Sequence, residues 1–290
     1  MHRLKAVSDA GGALNMAKIL QVFGIGGAIA LSVLIIAQAR SNTDVARIWK
    51  TLQAQSPSAE RFSKDMIAHL PEPVQRYFLH AIAPGTPMAT SVHLIMSGSM
   101  RLAPDKDWMP LQAEEILSTR GFVWKATAGQ GVMQMRGADY YTDGNGRMRF
   151  SLLGLIPVVN AHNPDITRSA LGRWAGEYFW LPSALLPQRG VIWQAFDENT
   201  IQASLKADGE PITLTFVIDE QGRLLRGSLF RWGNQTEDGH YNEIPFGGEN
   251  SAEQTFGGYT IPSQMGAGWW IGTDRYFEFI RVTVEQAQFQ

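Results

Sequence analysis

Cysteine is absent from the 290 residues of the chain, which excludes disulfide staples, thiolate metal sites and a cysteine nucleophile together. A surplus of either charge is missing too: 25 Lys and Arg stand against 27 Asp and Glu, for a formal net charge of −2. That balance exerts no general pull on nucleic acid, which is not expected as a partner. The six histidines, His2, His69, His80, His93, His162 and His240, never fall at the close spacing of a zinc-hydrolase helix, so no metal and no other cofactor is expected. No serine stands in a nucleophile elbow, and there is no phosphate-binding loop. Gly24-Ile25-Gly26-Gly27 resembles a dinucleotide loop in spelling only, because it falls inside an apolar run. Nothing in this inventory points to catalysis, and a non-enzyme is the favoured reading.

What is present begins with that apolar run. Residues 19–37 carry no charge, Gln21 and Ser32 are their clearly polar side chains, and the length suffices to cross a hydrocarbon core. Lys18 and Arg40 bracket the run. A transmembrane helix and the apolar stretch of a cleaved signal peptide both fit, since Ala37-Gln38-Ala39 has the small-x-small form that would be cut after Ala39. The length favours the anchor, with the lipid bilayer as its partner; a buried core helix is a third reading. Arg3, Lys5 and Lys18 precede the run while Arg40, Arg47 and Lys50 follow it, so the positive-inside rule leaves the side undecided.

Beyond it the pattern divides the chain into a tail (1–18), the transmembrane or signal segment (19–39), a helical stalk or lid (41–89) and an antiparallel β domain (90–290). In the helical section Val45, Ile48, Trp49 and Leu52 recur at helical spacing, a short helix is predicted over about 58–70, and Val74, Tyr77, Phe78 and Ile82 form a third stripe after Pro71-Glu72-Pro73. From Thr90 the period becomes two. Asp143-Gly144-Asn145-Gly146, Asp208-Gly209 and Asp219-Glu220-Gln221-Gly222 read as hairpin turns. Roughly ten strands result, in a mainly β (α+β) fold: a curved antiparallel sheet or half-barrel with a few covering helices. A crossing helix over about 164–180 starts at Asn163-Pro164-Asp165, its stripe made by Ile166, Ala170, Trp174 and Tyr178. Phe122-Val123-Trp124, Val191-Ile192-Trp193, 214–218 and 276–280 are apolar on both faces, which predicts a sheet covered on both sides, with a cavity or second sheet on one of them. Phe256-Gly257-Gly258-Tyr259 suits a strand bend or a barrel mouth.

The run from Arg168-Ser169-Ala170-Leu171-Gly172-Arg173 through Gly176-Glu177, Leu181-Pro182-Ser183-Ala184-Leu185-Leu186-Pro187 and Gly190-Val191-Ile192-Trp193 resembles a bacterial domain family of unknown function. The resemblance extends from Leu70-Pro71-Glu72-Pro73-Val74-Gln75-Arg76-Tyr77 to Gly257-Gly258-Tyr259-Thr260-Ile261-Pro262-Ser263 and carries no activity or catalytic residue with it. The order of strands and crossing helix also looks like the unclosed half-barrels of lipoprotein carriers, which hold acyl chains between a curved sheet and a helical lid. That likeness is of architecture and has no matching motif. A bacterial setting places the chain in the inner membrane as a single-pass protein with its C-terminal domain in the periplasm, or free in the periplasm if cleaved.

The candidate ligand-binding residues are Arg168, Arg173 and Glu177 as a polar rim, with Trp174, Tyr178, Trp180, Trp124 and Trp193 as apolar surface. The competing account of the rim is plain helix support, as Arg173 and Glu177 are four apart. Glu114 and Glu115 point to opposite faces of a strand, leaving room for one of them to face a cavity. The leading expectation is a membrane-anchored extracytoplasmic module, non-enzymatic, for a lipid or other hydrophobic ligand. An envelope hydrolase using His162, Glu177 and Arg173, and an envelope scaffold whose protein partner is unknown, are the alternatives.

Overall fold

The computed structural model of the protein describes residues 32–54 and 59–290. The tail and most of the apolar run, up to residue 31, lie outside the described residues. Among the described residues no helix is long and apolar enough to cross a membrane. Contacts divide the chain after Asp44, and residues 32–44 of the first unit are helical.

The second unit is built on one antiparallel sheet. Its first six strands are β1 (Ser91–Met100), β2 (Met109–Ser118), β3 (Gly121–Ala128), β4 (Met135–Thr142), β5 (Asn145–Leu152) and β6 (Ile156–Ala161). After a helical stretch come β7 (Ile192–Ala195), β8 (Thr200–Ala207), β9 (Glu210–Ile218), β10 (Leu224–Gly233), β11 (Asn242–Phe256), β12 (Tyr259–Trp269) and β13 (Phe277–Phe289). The spatial order is β6-β5-β4-β3-β2-β1-β13-β12-β11-β10-β9-β8-β7. Two meanders thus meet where β1 pairs with β13, Val92 opposite Phe289.

Thirteen strands replace the roughly ten predicted. Asp143-Gly144 and Asp208-Gly209 make two-residue turns with positive φ at both positions, as the residue types demand. Leu153-Gly154 also takes positive φ, at 51 and 72, in the three-residue connection between β5 and β6, but leucine hides it, since turns of this kind favour Asn, Asp or Gly. Gly257-Gly258 is the β11–β12 turn, which replaces the expected bend or barrel mouth. The helix predicted over about 58–70 shrinks to a 3-10 turn at Lys64–Met66. The backbone of Glu60 and Phe62 is taken instead by hydrogen bonds to Met88, Gly85 and Thr86, and a ladder partner outcompetes a short isolated helix.

Two helices cover the inner face of the sheet. In α1 (Glu72–Ala81), Val74, Tyr77, Phe78 and Ala81 are buried, and Tyr77 and Phe78 meet Trp193 at ring-centroid distances of 5.8 and 5.3 Å. The chain between β6 and β7 must travel from one edge of the sheet to the other. It does so as α2 (Pro164–Gly176) followed by 3-10 turns at Glu177–Trp180, Pro182–Leu185 and Pro187–Arg189. Asn163 caps α2, its Oδ1 accepting from the Ile166 N–H at 2.8 Å, which satisfies one orphan donor of the first turn.

The outer face is covered only in part. Ile116 and Val123 are buried there under Trp49 and Leu52 of the helical residues 45–53, which accounts for the two-sided apolar pattern of β3. Ile192, by contrast, is 67% exposed, so the two-sided pattern of β7 meets no second layer among the described residues.

The small residue Gly146 of β5 lets α2 lie close against the sheet. A Cβ there would stand 2.6 Å from the Thr167 Cα and 3.0 Å from the Ala170 Cβ, and the Gly146 N–H donates to the Thr167 hydroxyl at 3.2 Å. Gly146→Ala is therefore predicted to destabilise the domain by about 1–3 kcal/mol through overpacking. Urea unfolding should show a lower midpoint at unchanged slope, and an unchanged midpoint would contradict the close packing.

Candidate functional site

Between the inner face and the crossing segment lies a cavity of about 780 Å³, within the range of small-molecule sites, roughly 300–1,000 Å³. Most of its wall is apolar, with Met96, Met100, Met135, Met148, Trp124, Phe150, Phe246 and Trp269 contributed by six different strands. Exposed Leu102 and Val158 also line it, which places apolar side chains at its mouth.

The wall is interrupted by a buried charged cluster. Arg173, on α2, donates from Nη1 to Asp139 Oδ2 at 2.8 Å and from Nε to Glu177 Oε1 at 2.7 Å, and its Nη2 lies 4.0 Å from Glu115 Oε2. Its guanidinium also sits over the rings of Phe122 and Trp124, at 4.7 and 4.8 Å. Glu115 is completely buried. Burial first, and then the charge of Glu177, push its carboxyl well above the ordinary glutamate range, against the pull of Arg173. Both Glu115 carboxyl oxygens and Glu177 Oε2 are buried without a hydrogen-bond partner among the described residues. Asp139 is raised by burial too, against the opposing attraction of Arg173 and Arg231.

Arg231 of β10 completes the cluster from the other meander. Gly172 of α2 leaves room for its stem, since a Cβ there would meet the Arg231 Cγ at 3.1 Å. Its Nε donates to the Ser169 carbonyl at 3.0 Å, and the guanidinium lies over Phe246 and Trp269 at 4.6 and 5.1 Å. The residue is 8% exposed, and burial together with the nearby Arg173 pulls its pKa down to about 10.

The eight site residues read from the sequence separate into two groups. Trp124, Arg173, Glu177 and Trp180 line the cavity. Arg173 and Glu177 form a buried floor there rather than a rim, because the sheet closes over that side of α2 and supplies Asp139. Trp174 is core, stacked on Tyr141 at 5.4 Å with its Nε1–H donated to the Ser118 carbonyl. Tyr178 packs edge-on against Trp174, and Trp193 lies under α1 with its Nε1–H on the Leu185 carbonyl. Arg168 is half-exposed, paired with Glu243 at 2.9 Å and seated over Trp232. His162 is exposed and neither hydrogen-bonds nor ion-pairs with Arg173 or Glu177 among the described residues. None of the described residues form a group of three or more acidic or histidine side chains able to hold a metal ion.

Asp139 and Arg231 are absent from the sequence reading, and Glu115 enters it only as one of a pair. Each occupies an inner-face position otherwise held by apolar or small residues: Leu111, Ala113 and Leu117 flank Glu115, Gly137 and Tyr141 flank Asp139, and Leu229 and Gly233 flank Arg231. That alternation is the sequence signal for them.

Because the folded state holds the Glu115 proton more tightly than the unfolded chain does, its contribution to stability is full below the ordinary glutamate range and declines as pH rises through the folded-state value. Glu115→Gln, a neutral side chain of the same shape, is expected to flatten the fall in stability as pH rises above the ordinary glutamate range and to be at least as stable as the parent at the alkaline end. Denaturant titrations across that rise in pH check this; a steeper profile in the variant would refute it.

Three solved structures share the outline at low similarity. A LolA superfamily protein from Nitrosomonas europaea aligns at 7% identity and a TM-score of 0.41, over 75% of this chain and 92% of that one. A domain described as an outer membrane lipoprotein-sorting protein, from Vibrio parahaemolyticus, aligns at 10% identity and 0.35, over 69% and 85%. A DUF1329 family protein from Desulfovibrio piger aligns at 10% and 0.34, over 78% and 91%. At such scores neither fold family nor function is taken from them. No curated protein matches the chain. The sequence model of a family of unknown function, DUF6920, matches residues 68–289, a span holding the whole sheet, the crossing segment and every member of the charged cluster, and the chain belongs to that family.

Proposed function

We propose that the protein is a membrane-anchored binding module that holds a lipid or other hydrophobic ligand in the cavity of its β domain, on the extracytoplasmic side of a bacterial inner membrane. The observation that carries the reading is the cavity itself: about 780 Å³, walled mainly by apolar side chains. Well-packed domains keep few voids larger than a water molecule, because unfilled space forfeits dispersion contacts. Space on this scale inside one domain is therefore a place for a ligand. Five of the chain's 11 methionines, Met96, Met100, Met135, Met148 and Met265, face it. Flexible, polarisable thioethers follow the shape of an acyl chain better than branched side chains do. The membrane part of the reading is supported by the uncharged residues 19–37 of the sequence.

Native mass spectrometry and solvent extraction of the full-length chain, isolated from bacterial membranes, should release an apolar or amphiphilic molecule near one per chain. Met148→Trp, at a partly exposed position of β5, should lower that occupancy by filling the cavity while leaving the circular dichroism spectrum unchanged. An empty parent protein, or occupancy indifferent to Met148→Trp, would overturn the assignment.

A further inference from the structure

The charged cluster divides its two cations unequally. Arg173 is saturated, with Asp139 and Glu177 both in direct contact and Glu115 just beyond them. Arg231 forms no ion pair among the described residues, although it is the more deeply buried of the two and also lines the cavity. Of its five N–H donors, Nε is spent on the Ser169 carbonyl and one Nη2 donor makes a long contact of 3.4 Å to the Ser169 hydroxyl. The other three have no acceptor among the described residues. Desolvating a cation without an anionic partner is costly, and a fold that needed only a filler on β10 could place an apolar side chain there.

The surroundings hold the group still rather than neutralise it. Phe246 and Trp269 contact the guanidinium through their rings, Gly172 makes room for the stem, and the Ser169 carbonyl fixes Nε. A planar fork held in this way is suited to a bidentate anion. Asp139 and Glu177, the carboxylates whose charge acts on Arg231, are hydrogen-bonded to Arg173 and not to the fork of Arg231.

We propose that Arg231 is the head-group site of the cavity, and that the ligand is an amphiphile whose apolar tail occupies the methionine-lined space while its carboxylate or phosphate binds the Arg231 guanidinium. This rests on the apolar-ligand reading above and narrows it to one class of ligand. An anion on Arg231 is held against a mainly apolar wall, where charge-assisted hydrogen bonds are stronger than at the surface.

The test uses the full-length protein, delipidated and held in amphipol, with the neutral dye N-phenyl-1-naphthylamine reporting the cavity. Hexadecanoate, hexadecyl phosphate and hexadecan-1-ol compete for the dye, and inorganic phosphate is followed by calorimetry. The two anionic amphiphiles should displace the dye at concentrations at least about tenfold below the alcohol, a ratio typical of one charge-assisted hydrogen bond, while inorganic phosphate should show no binding. In Arg231→Met the ratio should fall to near one, and Arg231→Lys should retain part of it. Equal potency of acid and alcohol in the parent protein would overturn the head-group assignment, as would an anion preference that survives in Arg231→Met. Tight binding of inorganic phosphate alone would overturn the amphiphile and leave a free-anion site. If neither the dye nor the alcohol binds, the apolar-cavity reading falls first and the head-group site with it. The parent comparison stands without any variant, so a misfolded Arg231→Met does not protect the proposal.

Discussion

One topological demand governs this domain. The first meander runs outward from β1 to β6, the second returns from β7 to β13, and β6 and β7 lie at opposite edges of a single sheet. The chain between them has to cross the whole width of that sheet. It can do so only over one face, and whatever crosses there must satisfy its own backbone polar groups. A capped helix followed by 3-10 turns meets that requirement. The apolar stripe of the helix then becomes core, and the space left beside it becomes the cavity.

Apolar packing alone would let such a segment slide. Two arginines pin it from opposite directions: Arg173 reaches from α2 to Asp139 on β4, and Arg231 reaches from β10 to Ser169 on α2. The first meander thus grips the crossing helix through one guanidinium and the second through another. Buried ion pairs contribute little net stability against apolar packing of equal volume, yet losing one partner is expensive because the other stays charged and dry. Such an arrangement penalises any other placement of the helix. The same residues form the polar end of an otherwise apolar cavity, so the positioning of the helix and the chemistry of the site are one structure.

The sequence carries the local parts of this design clearly. Asp-Gly turns, the Asn163-Pro164 cap and the stripes of α1 and α2 follow from backbone rules that act within a few residues. Leu153-Gly154 escaped because its first residue is a poor marker for positive φ, and the 58–70 helix was overpredicted because its competitor, the 85–88 segment, lies more than twenty residues away. The site was half legible for a related reason. Arg173 and Glu177 are four residues apart and could be paired by eye, whereas Asp139 is 34 residues from Arg173, and Arg231 is 62 from its partner Ser169. Only the strand order brings these groups together. Tryptophans look alike in the sequence and all four of these are buried; only the lining of the cavity separates Trp124 and Trp180 from Trp174 and Trp193.

The seam between β1 and β13 has a consequence for how the chain acquires this structure. The central pairing of the sheet joins Val92 to Phe289, two positions near opposite ends of the domain, so it forms only once the last strand exists. Each meander can assemble through short hairpins as it is synthesised, but β1 and β12 both wait for the same partner. Long-range closures of this kind slow folding and leave unpaired strand edges exposed for longer. A nascent chain stalled before β13 should accordingly remain open to protease along β1, whereas the completed chain, with its final strand in the middle of the sheet rather than at its margin, is sealed there.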